Sequence, residues 1–208
     1  MIETLISDLG NVLLRFDNGI FFEKMTRFTS RSADEVRKVV HDNLDLNVLF
    51  ERNAISPEDF HRNAVDLLEA EIGYEDFYAI YCDIFSLNAD VLAVYGRLAP
   101  GLRKILLSNT DIMRWTFIKS RFPEILFFDG YVLSFDQGFM KPQPEVYREA
   151  LRLAGSLPER ALLVDDLPEN VNHAFRLGIQ GLVYRPGLDL ESELRKRGLP
   201  FGTPRARG

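Results

Sequence analysis

The feature that most constrains this chain is an alternation of two patterns between residues 104 and 197. Short apolar segments at 104–107, 125–132, 161–164 and 181–184 are separated by stretches with helical periodicity at 112–121, 144–153, 168–177 and 189–197. A strand that feeds a helix that feeds the next strand packs as a parallel sheet with helices on both faces. The expected fold class is therefore α/β, with a doubly wound, Rossmann-like core. An earlier apolar run, Thr4-Leu5-Ile6, stops at Asp8-Leu9-Gly10-Asn11 and reads as a buried strand whose C-terminal end opens into a loop. In open α/β sheets that end of the strands is where ligands bind.

Residues 17–88 break the alternation. Phe21, Phe22, Met25 and Phe28 follow helical spacing, Ser32-Ala33-Asp34-Glu35 fits a capping box, and Ser56-Pro57 sets a cap residue before a proline at the first helical position. The reading is a core of residues 1–16 and 89–198, a helical cap inserted at 17–88, and a flexible tail at 199–208, where Gly, Pro and Arg occur without periodicity. The chain should cross between core and cap at hinges near residues 16–18 and 87–90.

Composition narrows the function classes. With 46% hydrophobic and 27% charged residues among 208, the chain has ordinary globular content. A formal charge of −6 argues against binding nucleic acid, which depends on clustered Lys and Arg. No apolar run nears the roughly 18 residues of a membrane span. The single cysteine, Cys82, permits no internal disulfide and sits in an apolar-periodic segment as a small buried hydrophobe. The first residues lack the basic and apolar regions of a secretion signal, so a cytoplasmic location is expected.

Four polar groups follow the expected strands or their loops: Asp8, Ser108-Asn109-Thr110, Lys141-Pro142 and Asp165-Asp166. A parallel sheet brings such ends to one edge. Three carboxylates there repel one another unless a hard cation with oxygen ligands neutralises them, and magnesium is the natural occupant. It would also relieve the repulsion between a carboxylate and a phosphate, about 4 kcal/mol per charge pair at 4 Å and an effective dielectric of 20.

With their neighbours, these groups read Asp8-Leu9-Gly10-Asn11-Val12-Leu13, Leu107-Ser108-Asn109-Thr110, Met140-Lys141-Pro142 and Val164-Asp165-Asp166-Leu167-Pro168-Glu169-Asn170. In this order they resemble the four motifs of the haloacid dehalogenase superfamily. Residues 17–88 resemble its small helical cap, and Phe50-Glu51-Arg52-Asn53-Ala54-Ile55-Ser56 resembles a cap segment of its sugar-phosphate (glucose-1-phosphate type) phosphatase branch. The resemblance implies a magnesium-dependent phosphatase acting on a small phosphate ester through an aspartyl-phosphate. It implies Asp8 as nucleophile and metal ligand, and Ser108 with the Leu9 and Asn109 amides as phosphate binders. Lys141 would neutralise charge, Asp165, Asp166 and the Gly10 carbonyl would serve the metal, and Asn170 would orient the metal's ligands. One position departs from the pattern: the second residue after the nucleophile is commonly an aspartate that moves protons, and here it is Gly10. Without that acid, the expected preference is for anomeric, acyl and aryl phosphates, whose leaving groups are stable as anions, unless a cap residue such as Glu51 or Asp17 substitutes.

Blander readings stand beside these. Taken singly, Asp8 suits a turn, Ser108 a helix cap, Lys141 a solvated surface and Asp165-Asp166 a helix N-terminus. His41, His61 and His173 lack metal-like spacing and read as ordinary helix residues. Arg15, Asp17, Glu51 and Arg52 suit substrate contact or a solvated face, and Phe21, Phe22 and Phe28 suit a cap core. Competing functions are a metal-free 2-haloacid dehalogenase, a phosphoryl-accepting receiver, and a phosphate-binding module that has lost turnover through Gly10. The paired acids argue against the first, and their late position in the chain argues against the second.

Overall fold

The structure, a computed structural model, describes residues 1–202. The chain opens with β1 (Thr4–Ser7), β2 (Leu14–Phe16) and five helices, α1 (Asn18–Met25), α2 (Ala33–Asp42), α3 (Leu44–Glu51), α4 (Pro57–Leu68) and α5 (Tyr74–Cys82). After β3 (Phe85–Leu87) and α6 (Ala89–Tyr95) come β4 (Arg103–Ser108), α7 (Ile112–Arg121), β5 (Gly130–Leu133) and the short α8 (Ser134–Gln137). The series ends with α9 (Pro144–Ala154), β6 (Ala161–Asp165), α10 (Pro168–Arg176), β7 (Gln180–Val183) and α11 (Leu190–Lys196).

Five strands form one parallel sheet in the order β5-β4-β1-β6-β7. Every residue of β1 and β6 is buried, as expected of parallel strands covered on both faces. Leu5, Leu106, Leu162 and Val164 face a layer that includes Tyr95, Trp115, Ile118 and Leu194. Ile6, Ile105, Leu107 and Leu163 face Val146, Tyr147, Ala150 and Ala174. Gly181 permits the second layer to close on β7, because a Cβ there would overlap the Val171 side chain. The chain leaves β1 for β4 on one side and returns to β6 on the other, so β1 lies at the topological switch, where α/β sheets form their ligand crevice.

Helices α1 to α5 enclose a separate apolar cluster around Phe21, Phe22, Met25, Phe50, Phe60 and Phe77. Local chemistry fixes their starts. Ser32 and Glu35 form the reciprocal capping box of α2, and Ser56 caps α4 ahead of Pro57. The two chain crossings into this bundle are not independent loops: β2 and β3 pair antiparallel, with Leu14 opposite Leu87 and Phe16 opposite Phe85. At three residues each, these strands are too short to show a period in the sequence.

Two other stretches differ from the sequence reading. The apolar run at 125–132 is a strand only in its last part, because Pro123 opens a 3₁₀ turn over Pro123–Ile125 and the strand begins at Gly130. In the stretch expected to be a flexible tail, Leu199 is buried and Phe201 bridges to Leu98, while residues 203–208 lie outside those described. Among the described residues, no helix is long and apolar enough to cross a membrane.

Candidate active site

The ends of β1, β4 and β6 converge at the switch. Asp8 follows β1, Ser108 ends β4 and Asp165 ends β6, and all three are buried. Lys141 arrives from the loop before α9. Its Nζ stands 2.7 Å from Asp8 Oδ1 and 2.7 Å from Asp165 Oδ2, with only 5% of the residue exposed. Carboxylate oxygens of Asp8, Asp165 and Asp166 lie within 4.8 Å of one another. Asp8, Lys141, Asp165 and Asp166 are thus brought together, with Ser108 on the neighbouring strand.

Partners hold each of these groups. The other Asp165 oxygen accepts from Asn170 Nδ2 and the Leu167 amide, each at 2.9 Å, and Tyr147 Oη donates to the Asn170 carbonyl at 3.1 Å. Asn109 exchanges two hydrogen bonds with the Lys141 backbone, donating from Nδ2 to its carbonyl at 3.0 Å and accepting from its amide at 2.7 Å. The Asn109 side chain is therefore occupied in fixing Lys141, which leaves only its main chain for a phosphate oxygen. The Leu9 amide donates to Asp8 Oδ1 at 2.7 Å. Asn11, at φ 53°, donates from Nδ2 to Asp166 Oδ2 at 3.0 Å. That positioning role went unread in the sequence, where Asn11 entered only as part of a motif.

Three carboxylates against one ammonium leave the cluster electronegative. Burial pushes the Asp8 carboxyl up to about 7; Lys141 opposes the rise and Asp165 adds to it. Burial alone would lower Lys141, yet Asp8 and Asp165 outweigh it and hold the ammonium above its usual range. This all-oxygen, anionic donor set suits a hard divalent cation, whose charge would favour the ionised carboxylates.

A cavity of about 340 Å³ lies within the cap, walled by residues that include Phe16, Asn18, Phe21, Glu51, Tyr81 and Arg114, and none of Asp8, Lys141, Asp165 and Asp166 is part of its wall. A Cβ at Gly10 would sit 3.1 Å from Cε1 of Phe16, one of the residues of that wall. Asp111, rather than Ser108, caps α7 by accepting from the Arg114 amide, and it also accepts from Tyr81 Oη at 2.9 Å. The Arg114 guanidinium lies 4.2 Å from the Tyr81 ring centroid and 3.8 Å from Asp111, and its Nε is buried without a hydrogen-bond partner. Burial raises Asp111, with Arg114 opposing. Neither Asp111 nor Arg114 was singled out in the sequence, although an Asp directly before a helical pattern is a cap signal that marks the first.

The remaining candidates scatter. Arg15 is exposed, and Asp17 caps α1 by accepting from the Gly19 amide at 2.8 Å. His61 is bonded to the Ile72 carbonyl and His173 to the Glu169 carbonyl, with His41 exposed on α2. Cys82 is buried, and burial pushes its thiol up.

In its parallel sheet and its inserted helices the chain shares the fold of solved structures described as HAD family enzymes. No protein-family model matches it. It is 26% identical over 204 residues to a D-ribitol-5-phosphate phosphatase of Bacteroides thetaiotaomicron, with 93% of this chain and 97% of that protein covered. A HAD family enzyme of the same organism, solved with magnesium and inorganic phosphate, superposes with a TM-score of 0.78 at 21% identity, covering 94% of this chain and 100% of the other. The L-2-haloacid dehalogenase of Xanthobacter autotrophicus matches less well, with a TM-score of 0.66 at 19% identity over 94% of this chain and 82% of that one.

Proposed function

We propose that the chain is a magnesium-dependent phosphatase that hydrolyses a small phosphate ester through a phospho-aspartate on Asp8. The observation that carries this reading is Lys141, whose buried ammonium bridges Asp8 and Asp165 at 2.7 Å each beside a third carboxylate, Asp166. Asp8, Asp165 and Asp166, with the Gly10 carbonyl, are the groups that would hold magnesium. The ion supplies charge neutralisation and a clamp on the phosphoryl oxygens.

In this reading Asp8 attacks phosphorus while Ser108 and the Leu9 and Asn109 main chain hold the equatorial oxygens. Lys141 stabilises charge that grows on those oxygens, and Asn109 holds Lys141 in register for it. Asn170 and Asn11 orient Asp165 and Asp166. Phosphoryl transfer rewards this kind of fixed electrostatic frame, since positioning and charge stabilisation carry most of its catalysis.

The relative that acts on D-ribitol 5-phosphate supports polyol and sugar phosphates as the first substrates to test. A dehalogenase has no evident use for three converging carboxylates, and a phosphate-binding module without turnover would keep the site and release nothing. Phosphate release from acetyl phosphate and p-nitrophenyl phosphate, with magnesium and with a chelator, separates these readings. Magnesium-dependent turnover is expected, and no turnover with either ester would overturn the proposal.

A further inference from the structure

The reaction just proposed needs a proton for the departing oxygen, and Gly10 has no side chain to give one. The space beside it is filled by the edge of Phe16. Most other titratable groups nearby are committed. Asp17 is exposed and caps α1. Tyr81 donates to Asp111, and burial holds its hydroxyl well above the usual range. His61 is half-buried and bonded to the Ile72 carbonyl.

Glu51 differs from all of these. It is the last residue of α3 and part of the cavity wall, together with Phe16, Tyr81 and Arg114. Arg52, the next residue, donates from Nε to the Gly138 carbonyl at 3.0 Å, which ties the end of α3 to the loop that carries Lys141. Among the described residues, the Glu51 carboxyl makes no hydrogen bond and has no cation within 4.0 Å, so it is free toward the cavity.

We infer that Glu51, carried by the cap, is the catalytic residue that gives the leaving oxygen its proton and later takes one from the attacking water. This rests on the phosphatase reading above. As an Asp8 oxygen bonds to phosphorus, the bond from phosphorus to the ester oxygen breaks. Its electron pair stays on that oxygen, which takes the Glu51 proton and leaves as an alcohol. In the second step Glu51, now a carboxylate, accepts a proton from water as the water oxygen attacks phosphorus. The bond to Asp8 breaks, inorganic phosphate leaves, and both residues return to their starting forms.

The surroundings suit the task. Burial pushes the Glu51 carboxyl up to about 7, with Arg114 opposing the rise, Asp111 adding to it and Lys141 opposing it. A group with that affinity is poised to donate and accept near neutrality. One consequence concerns substrate class. Esters of ordinary primary alcohols, including open-chain polyols, become competent substrates, in place of the preference for stabilised leaving groups expected from Gly10 alone.

The test is kcat/KM with magnesium for Glu51→Gln, Glu51→Asp and wild type, across phosphate esters of graded leaving-group pKa from acetyl and p-nitrophenyl phosphate to a primary alkyl phosphate. In Glu51→Gln, a loss of about 10²- to 10⁴-fold is expected on the alkyl ester, with a much smaller loss on the activated esters and a steeper dependence on leaving-group pKa. The fall in wild-type alkyl-ester activity as pH rises through about 7 should vanish in this variant, and Glu51→Asp should recover part of the rate. An equal loss on every ester with an unchanged pH profile, or no loss on the alkyl ester, would overturn the assignment. If wild type hydrolyses none of the esters, the phosphatase reading itself fails, and that outcome is distinct from both.

Discussion

The two places where this protein buries charge are built on different plans. At the sheet edge, Asp8, Lys141 and Asp165 sit at strand ends or in a loop clamped by Asn109, and Lys141 is paired on both sides at 2.7 Å. Under the cap, Asp111, Arg114, Tyr81 and Glu51 hang from helices whose packing is mainly aromatic. The Arg114–Asp111 pair there is separated by 3.8 Å, and Arg114 Nε lacks a partner. The backbone fixes the first cluster. Side-chain packing fixes the second, leaving polar capacity unspent beside a cavity. A frame that must hold a phosphoryl group in one geometry gains from the first plan, and a wall that must meet a variable leaving group gains from the second.

The comparison breaks most sharply at Asp8. Asp8→Asn keeps the shape of the side chain and removes the proposed nucleophile, so phosphate release should fall at least about 10³-fold, some 4 kcal/mol of transition-state stabilisation, while the thermal melt stays cooperative. Near wild-type turnover would end the covalent reading. Lys141→Ala should cost about 10²- to 10³-fold in kcat, the range seen when one preorganised charge stabiliser is removed. A loss under about threefold, less than 1 kcal/mol, would place Lys141 outside the chemistry.

Glu51→Gln sharpens the contrast through stability. Because the folded protein keeps the Glu51 proton up to about 7 and the unfolded chain releases it near 4.5, wild-type stability should fall as pH rises between those values and then level off. The glutamine variant escapes that loss. Above pH 7 it should be more stable than wild type by on the order of 1–3 kcal/mol, read from denaturant melts at pH 4 and pH 8. Equal stability differences at both pH values would mean that Glu51 is not held protonated by its surroundings. The smallest effect is expected at Arg52→Ala, which removes one exposed hydrogen bond between cap and core. Global stability should change by less than about 1 kcal/mol. Amide exchange in residues 134–142 should quicken, and unchanged exchange there would show that Arg52 does not tie the two parts together.

The same division explains what could be read from the sequence. The core was legible because strands buried on both faces are continuous apolar runs and their polar successors stand out: Asp8 after Ile6-Ser7, Ser108 after Leu106-Leu107, Asp165 after Leu163-Val164. Helix starts at Ser32 and Ser56 were legible from capping chemistry alone. Contacts that join distant segments were not. Asn11 reaching Asp166, Asn109 clamping Lys141, and Arg114 lying over Tyr81 depend on side-chain directions that no local period encodes. Glu51 shows the limit most clearly: a charged residue on a helix suits a solvated face equally well until the surrounding helices show it directed into a cavity.

The close approach of Gly10 to Phe16 couples these two positions of the protein. An acid at position 10 would bring its Cβ to 3.1 Å from the Phe16 ring, so that ring must give by a few tenths of an ångström, and it packs edge-on against Phe85, 6.3 Å away between centroids. The two positions are therefore linked in any mutational path. Gly10→Asp alone requires a small shift of the Phe16 ring, Phe16→Ala alone opens a gap on the paired strands at the base of the cap, and the two together make room for a proton carrier in the core without that shift.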